Sequence, residues 1–490
     1  MSKFNNEAVS MKTVNHEGQA AYKMDLRSEL MTQVLTSFFN EKKFYGDNSE
    51  EMTDILKTLI PEDPAFVAKL AIFARNEFNM RSVSHVLLGY LANIPEGKPY
   101  VRKTLKRIVH RGDDATEILA FYLNTFGKPI PNSLRRGLRD VFSGFDAYTL
   151  GKYKGIGNQV TMKDILCLTR PAPKDEEQSK NWKDLLEGTL QTPYTWETEI
   201  SSKGNTREVW EELIDSEKVG YMALLRNFRN ILNADPENIQ KVFDEIADPE
   251  AVRKAKQLPF RYLSAYRNLP ALWNWREAEE ALERAADISV ENLPKIPGRT
   301  VIAIDVSGSM RHTISQKSTV RCSDISCLLG VIADHICEKS IVYTFDNKLY
   351  DVHIPKRNGI ISSALSIPQN GGGTYLRLPF EKMIQDHIGA DRIIVLSDNE
   401  CYSDVMYGDN RRFWGFDESK TMQSLADEYR QKVNPNFWVH AVDLQGYGTQ
   451  QFIGSKFNLV CGWSEKLFEF ITLAENGTDS LMKRIQSIKV

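Results

Sequence analysis

The ten residues TVIAIDVSGS, from Thr300 to Ser309, decide the fold of the C-terminal part of the chain. The first five are apolar or β-branched, as in a strand that is buried on both faces of a parallel sheet. The run then continues through Asp305 and Ser307 to Ser309. Open α/β sheets bind their ligands at the carboxyl ends of the strands. We therefore predict a buried strand that leads directly into a binding loop.

The alternation of strand and helix continues to the end of the chain. Further apolar, β-branched runs lie at residues 340–345, 392–396, 437–442 and 458–460. Helical periodicity separates them, at residues 323–338, 378–387, 420–432 and 465–474. This alternation predicts a doubly wound, Rossmann-like sheet domain, which we place at residues 298–490.

Two further loops carry oxygen atoms that are suited to bind a metal ion. One has three consecutive glycines followed by Thr374, and the other follows the strand at 392–396 and contains Asp398. The candidate metal ligands are Asp305, Ser307, Ser309, Thr374 and Asp398. An all-oxygen set with two carboxylates suits a hard ion, Mg²⁺ or else Mn²⁺. The alternative is that Asp305 caps a helix and the serines satisfy a turn.

An enzymatic function of these loops is not supported, because the loops lack residues that each candidate reaction would need. A phosphatase that used Asp305 as its nucleophile would need a second Asp two residues later, where Ser307 stands. The run lacks the Gly-x-Ser-x-Gly pattern of a nucleophilic serine. The glycine loop lacks the Lys of a Walker phosphate-binding loop. We expect a site that binds a ligand without catalysing a reaction.

The N-terminal part has a helical pattern almost throughout. Between residues 24 and 287, apolar residues recur at spacings of three and four, as at Leu26 and Leu30. Prolines divide the pattern into short segments, none of which can bury its apolar stripe alone. We predict HEAT-like helix pairs that stack as a solenoid over residues 12–291. The pattern changes at residues 292–298, where we place the domain boundary.

Charge is distributed unevenly along this helical part. The net charge of -3 gives no general attraction to nucleic acid or to a membrane. Residues 101–170, however, hold 13 basic and 6 acidic side chains, whereas residues 171–250 hold 9 and 18. Basic residues at helical spacing form rows that could follow phosphates, although a solvated face balanced by the acidic segment is the alternative. The candidate RNA-binding residues are Arg102, Lys103, Lys106, Arg107, Arg111, Arg135, Arg136, Arg139, Lys152, Lys154, Lys163 and Arg170.

The loops at 305–309, 371–374 and 396–399 resemble the metal-ion-dependent adhesion site of von Willebrand factor A domains. All five ligand positions of that family are matched, and the resemblance extends from about Gly298 to the C-terminus. In the family the ion keeps one coordination position open, which a carboxylate of a protein partner commonly fills. The resemblance implies a docking site for a protein carboxylate.

The helical part resembles the TROVE module of the Ro 60 kDa autoantigen family. The likeness rests on LAIFAR at residues 70–75 with Met80, Arg81 and His85, on GYMALLRN at 220–227, and on LPFRYLSAY at 258–266. In that family the module precedes a von Willebrand A domain, in the order found here. The resemblance therefore covers nearly the whole chain.

This family resemblance implies a ring of HEAT-like helices closed by the A domain. Its members bind small noncoding Y RNAs on a basic outer surface and take single-stranded 3′ ends of misfolded RNAs into the central hole, as in RNA quality control. Some bacterial members associate with an exoribonuclease. Met162 stands where vertebrate members have a histidine that contacts RNA, followed here by Lys163 and Asp164.

These observations predict a noncatalytic RNA-binding scaffold that acts as a monomer. The alternative is a Mg²⁺-dependent protein-interaction scaffold for which RNA is incidental. No apolar run approaches the ~18 residues that span a bilayer, and the polar N-terminal residues lack the pattern of a secretory signal. Six cysteines in 490 residues are too few for a disulfide framework. We expect a cytoplasmic protein that does not bind membranes.

Overall fold

The structure is a computed structural model, and the part of the chain that it describes has several gaps. The described residues are 12–14, 20–36, 50–155, 158–257, 259–271, 275–291, 293–313, 319–355, 357–398, 421–444, 449–454, 456–461, 467–475 and 481–490. Leu258 and Asn399, which belong to two of the segments that carry the family resemblance, lie outside the described residues.

The chain forms two compact units. The helical unit comprises Leu26–Ser202 and Met482–Val490, and the sheet unit comprises Met1–Asp25 and Lys203–Leu481. The change from helix to strand falls between Val290 and Ile296, close to the predicted boundary. The helices between Lys203 and Val290 nevertheless belong to the same compact unit as the sheet.

The described strands form two sheets. They are β1 (Lys12–Val14), β2 (Ala20–Lys23), β3 (Ile296–Asp305), β4 (Cys337–Phe345), β5 (Leu349–Val352), β6 (Arg392–Ser397), β7 (Trp438–Asp443), β8 (Thr449–Gln450) and β9 (Phe457–Cys461). The smaller sheet has the order β1-β2-β8 and the larger has the order β5-β4-β3-β6-β7-β9. Only β5 is antiparallel to its neighbour in the larger sheet.

The described helices before β3 all belong to the predicted helical part. They are α1 (Leu26–Thr36), α2 (Glu50–Glu62), α3 (Pro64–Glu77), α4 (Ser82–Asn93), α5 (Lys98–Ile108), α6 (Gly112–Phe126), α7 (Asn132–Phe142), α8 (Ala147–Lys152), α9 (Met162–Thr169), α10 (Glu176–Glu187), α11 (Trp196–Lys203), α12 (Arg207–Asp215), α13 (Tyr221–Ala234), α14 (Ile239–Ala247), α15 (Pro249–Ala255), α16 (Pro259–Arg267) and α17 (Trp275–Val290). The remaining described helices are α18 (Cys322–Ile336), α19 (Ile360–Ser366), α20 (Arg377–Gln385), α21 (Met422–Lys432), α22 (Leu467–Glu475) and α23 (Leu481–Gln486).

Strand β3 lies in the middle of the larger sheet and is covered on both faces. Its last six residues are all buried, as the apolar run predicts. On one face α18 approaches so closely that a Cβ on Gly330 would lie 2.3 Å from Cδ1 of Ile304. On the other face Val301 and Ala303 join a core that includes Phe380 and Tyr429. Packing on both faces fixes the position of Asp305, the last residue of β3.

The fold class predicted from the sequence, a helical region followed by a Rossmann-like von Willebrand A-type domain, is confirmed. All five predicted strands are present, and each predicted helix of the domain has a counterpart in α18, α20, α21 and α22. The first of these ends at Ile336 rather than at 338 because Cys337 begins β4. Closure of the helices into a ring remains a prediction. Among the described helices, none is long and apolar enough to span a bilayer.

Candidate functional site

The first two predicted metal-binding loops are joined through their main chains. The amide of Gly371 donates a hydrogen bond to the carbonyl of Val306 at 3.0 Å. The amide of Gly308 donates to the carbonyl of Gly372 at 2.8 Å. The segment that leads to Thr374 therefore lies against the segment that carries the two serines.

The third loop meets the first through the hydroxyl of Ser397. This hydroxyl donates to Oδ2 of Asp305 at 2.6 Å and lies 3.4 Å from Oδ1 of Asp398. On the other side, the amide of Ser307 donates to Oδ1 of Asp305 at 2.9 Å, and the hydroxyls of Ser307 and Ser309 are 3.1 Å apart. The carboxyl ends of β3 and β6 thus bring the predicted donor residues of the first and third loops together.

The electrostatics of this cluster are unfavourable for the protein alone. Asp305 and Asp398 are both fully buried. Burial raises the pKa of Asp305 to about 7, and repulsion from the Asp398 carboxylate adds to the increase. The hydrogen bonds from Ser307 and Ser397 offset only part of it. Hydroxyls and an amide thus compensate only part of the negative charge at Asp305.

The donor set fits a hard divalent cation. Its atoms are all oxygens, two of the side chains are carboxylates, and a cation beside them would favour the charged form of both. No group of three or more His, Cys, Asp or Glu side chains in the described residues is placed to hold a metal. Asp305 and Asp398 would contribute the charge, with Ser307, Ser309 and Thr374 as neutral ligands.

Asp346 is a residue of this site that the sequence reasoning missed. It follows β4 directly and is buried. Its Oδ2 accepts from the amide of Gly372 at 3.2 Å, and its carbonyl accepts from the amide of Tyr375 at 3.0 Å. Asp346 therefore holds the second loop on both sides of Thr374. A carboxylate immediately after a buried strand was the signal that could have found it.

Seven of the predicted RNA-binding residues lie on two amphipathic helices of the helical unit. Helix α5 buries Val101, Thr104, Leu105 and Ile108, and α7 buries Leu134, Gly137, Leu138 and Phe142. The opposite faces expose Arg102, Lys103, Lys106, Arg107, Arg135, Arg136 and Arg139. Because the apolar stripe of each helix faces the core, the basic residues on the opposite side of the helix face the solvent.

The two basic helices pack directly on one another. A Cβ on Gly137 of α7 would lie 3.3 Å from Cδ1 of Leu105 and 3.5 Å from the Cα of Arg102, both on α5. The absence of a side chain at Gly137 permits this approach. Arg102 forms an ion pair with Asp140 of α7. The exposed rows of both helices therefore adjoin, and we call them together the α5–α7 basic face.

Six residues of the α5–α7 basic face have no carboxylate within ion-pair distance among the described residues. They are Lys103, Lys106, Arg107, Arg135, Arg136 and Arg139. Two of them have neutral partners: Arg107 donates to the carbonyl of Lys489, and Arg135 donates to Oδ1 of Asn132 at 2.9 Å. None of these six side chains is therefore held in an ion pair with a described acid, and all of them are exposed.

The other predicted RNA-binding residues have different surroundings. Arg111 pairs with Asp113 at 3.0 Å, and Lys152 pairs with Glu197 at 3.5 Å. Two lysines donate instead to carbonyls of the segment that ends α10 and follows it: Lys154 to Leu190, just after the helix, and Lys163 to Leu186, in its last turn, at 2.7 Å. Arg170 is exposed just after α9. The contacts of Lys154 and Lys163 tie that segment to its neighbours, so these two residues have an evident structural role.

Met162, which stands where vertebrate family members have an RNA-contacting histidine, has a structural role in this chain. Met162 is completely buried. The preceding Thr161 caps α9, and Asp164 accepts from the amide of Thr161 at 2.8 Å in a capping box. An RNA contact through the Met162 side chain is therefore excluded in this arrangement.

A second buried carboxylate, Asp114, lies in the helical unit. Its Oδ2 is 3.2 Å from Nη2 of Arg75, and its Oδ1 pairs with Nε of Arg81. Nε2 of the buried His85 lies 3.3 Å from the same Oδ1, and the amide of His110 donates to Oδ2 at 2.9 Å. Burial alone would raise the pKa of Asp114, but His85, the charge of Arg81 and the His110 amide together hold this pKa well below its usual range.

Together, the fold and these sites define a helical-repeat protein with a von Willebrand A-type domain and a separate basic face. Residues 5–189 and 187–274 match the TROVE domain family, and residues 299–409 match the Ro60 vWA domain family. The chain belongs to the TROVE family, in the form that carries the Ro60-type vWA domain.

Similar proteins include the telomerase protein component 1 of Rattus norvegicus and that of Mus musculus, which are 25% and 24% identical over 328 residues. Each alignment covers 50% of this chain and 12% of the relative, so this chain spans a small part of their length. Among solved structures, the crystal structure of the Deinococcus radiodurans RO (RSR) protein matches with a TM-score of 0.63 and 18% identity. That match covers 93% of this chain and 100% of the other, and it supports the fold.

Proposed function

We propose that this chain is a noncatalytic scaffold that binds small structured noncoding RNAs, of the Y RNA kind, through the α5–α7 basic face. The same chain also takes single-stranded 3′ ends of misfolded RNAs, as a component of RNA quality control. Its RNA partners would be held by phosphate contacts, so the sequence preference should be weak and the shape of the RNA should matter more.

The observation that carries this proposal is the set of six exposed cations on adjoining helices. Like charges at helical spacings of three or four cost an isolated helix a few tenths of a kcal/mol per pair. On the α5–α7 basic face Asp140 pairs with Arg102, and none of the six forms an ion pair with a described carboxylate. A polyanion bound there would remove the repulsion and release counterions, which is the main source of affinity in such complexes.

Charge reversal combined with a salt series tests the proposal. We expect the triple variant Arg135→Glu, Arg136→Glu, Arg139→Glu to bind a stem–loop RNA with a single-stranded 3′ extension at least about tenfold more weakly at low salt. The slope of log affinity against log salt should become shallower by roughly two to three, because each lost phosphate contact removes ~0.7–0.9. Filter binding measures both quantities.

A matched control comes from α10 and the residue that precedes its cap. Lys174, Lys180 and Lys183 are exposed and lie in the acidic part of the helical unit. Reversal of these three charges changes the net charge equally and should leave most of the RNA affinity intact. Equal losses in both triple variants would mean that net charge, rather than the α5–α7 basic face, governs binding.

The loop cluster of the sheet unit favours a second candidate function. Because the three loops converge on an oxygen-only donor set, we propose that a Mg²⁺ or Mn²⁺ ion held by Asp305, Ser307, Ser309, Thr374 and Asp398 binds a carboxylate of a protein partner, with an exoribonuclease as the candidate partner. Affinity capture with a purified exoribonuclease should then require a divalent cation and be lost with EDTA. Capture that persists in EDTA would separate the partner from this site.

A further inference from the structure

Helix α8 presents an aromatic ring to solvent at a fixed position. Tyr148 is 51% exposed, which is more than any other large hydrophobic side chain of the described residues. The side chain of Asp146 caps α8 by accepting from the amide of Thr149 at 2.7 Å, and Leu150 anchors the opposite side of the helix by complete burial. The exposure of Tyr148 is thus imposed by an anchored helix.

Cations and rings alternate next to this tyrosine. Nζ of Lys152 lies 6.0 Å from the ring centroid of Tyr148 and 5.6 Å from that of Tyr153. The guanidinium of Arg111 lies 5.4 Å from the centroid of Tyr153. The order Tyr148, Lys152, Tyr153, Arg111 forms a row of two rings and two cations, which we call the α8 aromatic row.

Each of the two cations has an acidic partner, and each ion pair is partly exposed. Glu197 and Arg111 are 41% and 48% exposed, and their partners Lys152 and Asp113 are 20% and 23% exposed. Ion pairs that remain in contact with solvent are weaker than fully buried ones, so a phosphate can compete with Glu197 and Asp113 for these cations. The row is therefore an accessible surface whose cations are held near the rings before any ligand arrives.

An aromatic face beside positive charge is the composition that binds unpaired nucleotides, since every base has a face that stacks and every link has a phosphate. A duplex keeps its bases stacked inside the helix and has no free base to offer. The row also begins near the α5–α7 basic face along the chain, because Arg111 follows Arg107 by four residues. A bound RNA stem could thus be followed by a single-stranded stretch over the row.

We propose that the α8 aromatic row binds single-stranded RNA by stacking one unpaired base on Tyr148, with Lys152 and Arg111 contacting the flanking phosphates. The proposal rests on the RNA-binding function proposed above and adds a site that selects unpaired over paired nucleotides.

Fluorescence anisotropy with a short single-stranded RNA and a blunt duplex RNA tests this proposal in the full chain. Tyr148→Ala should weaken binding of the single strand about 5- to 150-fold, the range expected for one stacked base, and change duplex binding less than about twofold. Tyr148→Phe keeps the ring and should bind like the wild type. Tyr148→Leu keeps apolar bulk without a ring and should behave like Tyr148→Ala.

A single strand in which one base at a time is replaced by an abasic sugar identifies the stacked base. At one position, the abasic replacement should weaken binding of the strand to the wild type and to Tyr148→Phe. The same replacement should not further weaken binding to Tyr148→Ala, which has already lost the stacking ring. The stacking proposal is overturned if Tyr148→Ala binds the single strand normally, or if it loses single-strand and duplex binding equally. If the wild type binds neither RNA, the RNA-binding function fails as well, so the two failures are distinguishable.

Discussion

Asp114 in the helical unit and Asp305 in the sheet unit are both completely buried carboxylates, yet their surroundings are opposite. Asp114 lies against Arg75 and Arg81, and its pKa is held well below the usual range. Asp305 lies near a second carboxylate, Asp398, and its pKa is raised to about 7. The protein itself supplies cations next to Asp114, whereas the charged form of Asp305 is disfavoured by burial and by Asp398, as we expect of a carboxylate that a bound cation would stabilise. The difference separates a structural carboxylate from a candidate ligand.

The largest expected effect comes from removing the charge of Asp114. Asp114→Asn leaves two buried or half-buried arginines without their shared anion, so the free energy of unfolding should fall by about 3–5 kcal/mol. Urea unfolding followed by circular dichroism measures it. Asp113→Asn, which affects only more exposed ion pairs, is the matched control and should cost less than about 1 kcal/mol. Equal costs for the two variants would remove the structural role assigned to Asp114.

Asp305→Asn should have the opposite pattern. In metal-free protein the free energy of unfolding should change by less than about 1 kcal/mol, because one of two repelling carboxylates is removed. Affinity for Mn²⁺ should fall at least ~100-fold, since even partners outside the coordination sphere are worth 10–100-fold. Isothermal titration calorimetry measures the affinity, with the exposed carboxylate variant Asp386→Asn as control. A large loss of metal-free stability with no change in Mn²⁺ affinity would make Asp305 a second structural carboxylate.

A smaller effect should follow from loosening the second loop. Asp346→Ala removes the contacts to Gly372 and Lys348 without touching a proposed ligand, so Mn²⁺ affinity should fall about 10- to 100-fold. Asp346→Asn keeps one carbonyl acceptor and should lose less. Mn²⁺ affinities that are the same in both variants and in the wild type would show that Thr374 is positioned without Asp346.

The smallest effect is an acid dependence of the helical unit. Because the folded pKa of Asp114 lies below the unfolded value, its stabilisation is present above about pH 4 and is lost as the pH falls below that value. The loss should approach about 1.4 kcal/mol per pH unit for this one group. The difference in unfolding free energy between wild type and Asp114→Asn should therefore shrink from pH 5 to pH 3. A difference that stays constant would contradict the depressed pKa.

The sequence predicted the parts of the sheet unit whose determinants are local. The apolar run before Asp305 forms β3, and the hydroxyls and carboxylates that follow it meet the other loops at one sheet edge. Strand β5 was missed because its four residues form an antiparallel edge strand that is only partly buried, so no long apolar run marks it. The strands β1, β2 and β8 were missed because they are short, with two to four residues each.

The sequence predicted less about the basic residues because their partners are distant in the chain. Helical spacing placed the rows of α5 and α7 on exposed faces. It could not show that Lys154 would donate to Leu190, 36 residues away, or that Lys163 would donate to Leu186. Nor could it show that the helices after Lys203 form one compact unit with the sheet. These features depend on packing between segments rather than on periodicity within one.

Ultraviolet crosslinking of bound RNA to the full chain, followed by mass spectrometry of the crosslinked peptides, tests the central proposal most directly. The account predicts crosslinks within residues 98–111 and 132–153, which contain the α5–α7 basic face and the α8 aromatic row. These crosslinks should disappear in the triple variant at Arg135, Arg136 and Arg139 for a structured RNA. Crosslinks confined to residues 296–475 would contradict it, because they would place the RNA on the sheet domain.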